Sequence, residues 1–144
     1  MSVRSLWLSF GACLVLSTLT PAVGCTVSVV NVAFGGYDVF DAQPTETTGT
    51  VTVACGSSTA YTISLSAGFG TFASRVMTNG TSQLGYNLFT DSQRLTVWGD
   101  GTSGTATVSD TATGGSYPVY GLIPALQNVP AGTYSDTITV TVTY

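Results

Sequence analysis

Histidine and lysine are both absent from the 144 residues of this chain. Without histidine there is no Ser-His-Asp or Cys-His nucleophilic arrangement and no imidazole-ligated metal. Without lysine the only cations are Arg4, Arg75 and Arg94, against seven acidic residues. No basic patch is present to neutralise phosphates, which argues against nucleic acid as a partner. Attraction to an anionic membrane surface fails for the same reason. Charged residues make up 7% of the chain. A surface so poor in charge, with abundant Thr, Ser and Gly, has little to oppose self-association. Convincing helical periodicity is also missing after residue 24, and long apolar runs occur only before it.

The first stretch reads as a secretory leader. Arg4 supplies a positive start, 6–19 is mostly apolar, and Pro21-Ala22-Val23-Gly24 places small residues for cleavage before Cys25. A cut after Ala22 is the alternative. The apolar stretch falls short of the roughly 18 residues a membrane span needs, so no membrane insertion is expected once the leader is removed. The expected organisation is a signal peptide over 1–24 and one domain over 25–144, enough for a single core. That domain carries Arg75 and Arg94 against six aspartates and Glu46, a net charge of −5.

Cys13 leaves with the leader, and Cys25 and Cys55 remain. An even number in an exported chain predicts one disulfide, closing a loop of about 30 residues and worth roughly 3–4 kcal/mol. Two buried free thiols and an acylated Cys25 are the alternatives.

Strand signals recur along 25–144. The segment 26–34 has valines in mixed phase, consistent with a bulge or with burial on both faces. The polar 41–48, with Pro44, reads as a loop. Val51, Val53 and Cys55 alternate, Gly56-Ser57-Ser58 reads as a turn, and Tyr61, Ile63 and Leu65 resume the pattern as a neighbouring strand. The segment 77–82 reads as a turn, followed by Leu84, Tyr86 and Leu88 on one face. Short strands are expected at 95–98 and 104–108, a loop at 110–116, and an edge strand or strand start at 117–123 because of Pro118. From Thr137 the alternation is strict, with Ile138, Val140, Val142 and Tyr144 on one face and threonines on the other. Nothing follows this strand, so its partners lie earlier in the chain or in another chain, and a free edge is a template for an added strand. Seven or eight short strands without a helix predict an all-β sandwich.

Catalytic signals are thin. Asp38 with Asp41, or Asp100 with Asp110, leaves two-carboxylate chemistry formally open, but each pair sits in Gly-, Ser- or Thr-rich loops where aspartate forms turns. Oxygen ligands for Ca²⁺ lack regular spacing. Asn79-Gly80-Thr81 matches a glycosylation sequon and, more simply, a turn. Trp98 beside Gly99-Asp100-Gly101 is a ligand-stacking platform or a core aromatic. No enzyme, cofactor or metal is expected.

An ordered set of motifs resembles a known family. It comprises Cys25, Phe34-Gly35-Gly36-Tyr37, the run 49–55 ending in Cys55, the run 61–68, Arg75-Val76-Met77, the run 84–91, Trp98-Gly99-Asp100-Gly101, Tyr120-Gly121 and the run 132–138. Together they resemble the spore coat protein U domain, the subunit domain of archaic, Csu-type chaperone–usher pili. The resemblance implies an immunoglobulin-like β-sandwich lacking one strand. A periplasmic pilus chaperone would lend that strand, and an outer-membrane usher would exchange it for the N-terminal extension of another pilus subunit. It further implies that Ile138, Val140, Val142 and Tyr144 line one wall of the acceptor groove and bind the chaperone, with the Tyr144 carboxylate as a handle. Gly132, Tyr134 and Asp136 would set the turn into the last strand. A fimbrial surface location and a role in adhesion or biofilm formation follow from the same resemblance. One departure stands out. Ordinary subunits carry a donor segment before the first cysteine, whereas Cys25 directly follows the leader, which predicts a tip or terminating subunit; the alternative is an earlier cut that leaves part of 14–24 as donor. A self-contained secreted sandwich, acting as a coat or carbohydrate-binding protein, is the alternative.

Overall fold

The alternations at Val51/Val53 and at Tyr61/Ile63/Leu65 belong to a single strand. The computed structural model describes residues 24–144, and these form six strands: β1 (Cys25–Val30), β2 (Thr45–Leu65), β3 (Arg75–Asn79), β4 (Ser82–Phe89), β5 (Val108–Ile123) and β6 (Val140–Thr143). β2 pairs antiparallel with β5 along almost its whole length, from Thr45 opposite Ile123 to Ile63 opposite Val108. β1 lies on the other edge of β2, with Cys25 opposite Cys55, and β6 lies further along that edge, with Val140 opposite Leu65. β4 joins β5 through Asn87–Phe89 only, and β3 pairs with β4. The order is therefore β1-β2-β5-β4-β3, with β6 also on β2. An isolated bridge between Thr78 and Ser135 ties the segment before β6 back to β3. The sheet thus curls on itself into an all-β sandwich.

Its core is the set of apolar residues that share the inward face of these strands. Val51, Val53, Ile63, Leu65 and Ile123 are nearly inaccessible to solvent, and burying each such side chain is worth about 1.5–3 kcal/mol. Outward positions are hydroxylated, and Thr52 with Ser116 and Thr62 with Ser109 pair through their hydroxyls. Where β5 ends at Ile123, Gln127 replaces it: its amide accepts from Gly85 N and donates to Gly85 O, each at 2.8 Å. A side chain here stands in for a missing strand and satisfies the edge of β4.

Several expectations are corrected. The polar run from Thr45 to Thr48 is strand, because β5 supplies ladder partners that polarity cannot reveal. Gly56-Ser57-Ser58 is not a turn between neighbouring strands. The register shifts between Ala54 and Thr59, so 55–58 bulge within β2 opposite Thr113, and Gly114 at φ 145° absorbs the distortion on β5. The run 110–116 is likewise inside β5 rather than a loop. Pro118 sits mid-strand opposite Thr50; β4 reaches β5 only from Tyr120 onward, so a donor is not needed on that side. The 77–82 turn narrows to Gly80-Thr81, and the strands expected at 95–98 and 104–108 reduce to bridges at Val97, Trp98 and Ala106 before β5 begins at Val108. The mixed phase of 26–34 marks the end of β1 at Val30, after which the inward positions shift by one.

Candidate binding groove

Between the first and last segments of the domain the curled sheet is open. The opening is a groove of about 1230 Å³, walled on one side by 29–39 and on the other by 129–138 and Val140. Its floor is the core itself, including Val51, Leu65, Leu84, Leu88 and Val119. The walls are main chain with few obligations. From Asn31 to Tyr37, among the described residues, no main-chain group bonds another main-chain group. Along 129–139 only Ser135, paired with Thr78, and Thr139, whose carbonyl accepts from Ser66 N, do so. Main-chain groups that lack a main-chain partner thus flank an apolar floor, with Ala33 O accepting from Thr47 Oγ1 and Pro130 O from the Tyr134 hydroxyl.

The last segment is pinned rather than floppy. The Asp136 carboxylate accepts from Phe69 N at 3.1 Å, Thr137 N at 2.7 Å and the Tyr86 hydroxyl at 2.7 Å. Gly68, at φ 66°, leaves the room that carboxylate occupies. Burial, and then donation to Asp136, push the Tyr86 hydroxyl above the ordinary tyrosine range. Tyr134 donates to Pro130 O at 2.8 Å, and Gly132 packs against the Asn79 amide. Gly132 and Asp136 thus hold the wall to the hairpin of β3 and β4 and to the loop after β2, while Tyr134 braces the wall within itself. Ile138 and Val140 line the groove. Val142 packs on the core opposite Ile63, and Tyr144 is exposed beyond the groove. The alternation from Thr137 persists in burial, yet the ladder covers only Val140–Thr143, because the earlier residues run beside the open groove rather than beside β2.

The other wall is tied down at its start and end. Cys25 and Cys55 form a disulfide with S–S 2.04 Å. At the far end the Tyr37 hydroxyl donates to Pro124 O at 2.9 Å and accepts from Gln127 N at 2.8 Å.

Arg75 is the functional support that sequence reasoning missed. It is fully buried, and its guanidinium donates to Ser66 O, Trp98 O and Asn87 Oδ1. It also lies over the Phe72 ring. Burial lowers its pKa, opposed by the fields of Tyr86 and Asp136. It locks the groove floor to the β2–β3 loop. Nothing local in the sequence marks an arginine as buried. Trp98 is core, donating Nε1–H to Ile63 O at 3.1 Å. The candidate carboxylates cap turns: Asp38 accepts from Phe40 N, Asp41 from Gln43 N and Asp100 from Thr102 N, while Asp110 accepts from Tyr117.

The fold and the groove define a class, that of all-β domains with an opening between their first and last segments. The chain belongs to the Spore Coat Protein U domain family, whose model matches residues 12–141. It is 39% identical over 127 residues to Protein U of Myxococcus xanthus, with 81% of this chain and 66% of that protein aligned. Among solved structures it resembles the CsuC–CsuE chaperone–tip adhesion subunit pre-assembly complex from archaic chaperone–usher Csu pili of Acinetobacter baumannii. There the TM-score is 0.61 and the identity 25%, over 85% of this chain and 40% of the other. The chain therefore spans just under two thirds of the curated relative and a smaller share of the solved one.

Proposed function

We propose that this protein is a structural subunit, not an enzyme, of a surface fibre assembled by the chaperone–usher route. One observation carries the reading: the groove offers unpaired backbone on both sides and an apolar floor between. An extended strand laid there gains main-chain bonds to the walls and buries every second side chain. The similar solved structure is itself a complex of a chaperone with a subunit before assembly, which supports a periplasmic chaperone as the first occupant. An outer-membrane usher then exchanges that strand for one from another subunit. The leader over 1–24 takes the chain out of the cytoplasm, the Cys25–Cys55 bridge forms on export, and the domain 25–144 reaches the cell surface to serve adhesion and biofilm formation. With cleavage before Cys25 the protein accepts a strand but has none to pass on, which makes it a tip or terminating subunit. N-terminal sequencing of the exported protein tests this; a mature start well before Cys25 overturns the terminating role.

The groove is tested by Val140→Asp. An inward carboxylate has no partner in the apolar cleft, so strand capture by a co-expressed chaperone is expected to be abolished. Normal capture would remove Val140 from the groove wall. The family's coat designation favours a second reading, in which the domain is a self-contained secreted coat or carbohydrate-binding protein. A stable monomer that needs no chaperone for its yield would support that reading over the first.

A further inference from the structure

The first wall changes character along its length. In β1 the core-facing Val27 and Val29 stand directly opposite Val53 and Val51. They are nonetheless 43% and 49% exposed, because among the described residues no strand lies on their other side. Beyond Asn31 the inward positions become Val32 and Phe34, which are half-buried against the core. Two glycines on the inward face of the sheet make this possible. A Cβ at Gly49 would lie 2.7 Å from the Val30 carbonyl and from Val32, and one at Gly121 would lie 2.7 Å from Val32 and 2.8 Å from the Phe34 ring. The Phe34 ring meets Tyr86 edge-on, with centroids 5.9 Å apart. The protein thus fills one end of its own groove, seating Phe34 in a socket made by Gly121 and Tyr86. Toward the end lined by Val29, Ile138 and Val140, the Val29 side chain stays 49% exposed.

We propose that Phe34 sets the register of the strand that fills the groove; this rests on the strand-capture reading above. An extended strand sends alternate side chains inward about 7 Å apart. A slip of one residue turns the apolar set outward and is rejected by the pattern alone. A slip of two residues keeps the pattern, so alternation cannot exclude it. The Phe34 socket can. An inward side chain that arrives there meets occupied space and must be glycine, alanine or serine, whereas those facing Val29, Ile138 and Val140 meet open apolar space and favour large aliphatics. A partner strand of this kind, aliphatic at one end and small at one inward position of the other, fits in a single register.

The test uses the exported protein and labelled twelve-residue peptides alternating leucine with threonine. One peptide has leucine at every inward position, and the others carry glycine at one inward position each. Fluorescence anisotropy is expected to show one glycine peptide binding about tenfold or more tighter than the all-leucine peptide, the scale of an overpacked core. Phe34→Ala is expected to erase that preference and to take the all-leucine peptide at least as well. Phe34→Leu, a milder change that keeps the socket filled, is expected to reduce the preference part-way and guards against loss of folding in the first variant. Capture of all peptides alike, or a preference unchanged in both variants, overturns the role of Phe34 while strand capture stands. Failure of every peptide to bind any of the three proteins overturns strand capture, and this inference with it.

Discussion

The floor and the walls of the groove are made of the same residues under different conditions. Val51 and Val53 on β2 are 0% and 1% exposed, while Val29 and Val27, directly across the ladder on the same face, are 49% and 43% exposed. Residue type, strand type and facing are identical. What differs is that, among the described residues, β2 has a neighbour on each side and β1 has one. Inward orientation alone does not bury a side chain; a second flanking strand does. The difference locates the open edge of the described sheet, and it can be probed from either side.

The largest effect is expected at the support of the floor. Arg75→Met leaves the Ser66 and Trp98 carbonyls without their donor and Asn87 Oδ1 with Leu88 N alone, and each orphaned carbonyl costs about 1–3 kcal/mol. Denaturant unfolding should show a loss of about 3 kcal/mol or more; a smaller loss would mean that water replaces the guanidinium. Next is the tie between wall and floor. Replacing both Cys25 and Cys55 by serine should cost roughly 3 kcal/mol and lower the exported yield, and an unchanged yield would show that the ladder of β1 alone holds the wall. The valine pair sharpens the comparison most directly. Val51→Thr should destabilise the isolated domain by about 1–2 kcal/mol, whereas Val29→Thr, across the ladder on the groove wall, should cost almost nothing there and show its cost only once a strand is captured. Equal effects in the isolated domain would contradict the open groove. The smallest effect is on pH. Tyr86 holds its proton above the ordinary tyrosine value of 10.0 in the folded protein, so the unfolded chain ionises first and stability should fall as pH rises past 10. Tyr86→Phe should flatten that fall, as read from melting temperatures across alkaline pH.

The inward faces of β2 over 51–55 and 61–65 and of β4 over 84–88 were legible residue by residue, because period-2 alternation states which side chains share a face. The disulfide partners followed from counting cysteines. The bulge after Ala54 was misread as a turn, since glycine and serine serve both and only the length of β5 decides between them. The segment 110–116 read as a loop for the same reason: its partner lies some 50 residues away in β2, and polarity alone does not announce a ladder. One wall of the groove was visible in Ile138 and Val140. The other was hidden, because 31–37 is neither strand nor turn and its role depends on Gly49 and Gly121 letting it sink toward the core.

By itself the amino-acid sequence determined the class of structure and the character of the surface. Alternation, the lack of helical periodicity and the scarcity of charge are local or summed properties, and they need no knowledge of which strands meet. Only the tertiary structure decided where the sheet stays open, which wall carries Phe34 into its socket, and that Arg75 is a buried brace. Those are relations between residues far apart in the chain, and the free energy of each depends on neighbours that folding alone brings together.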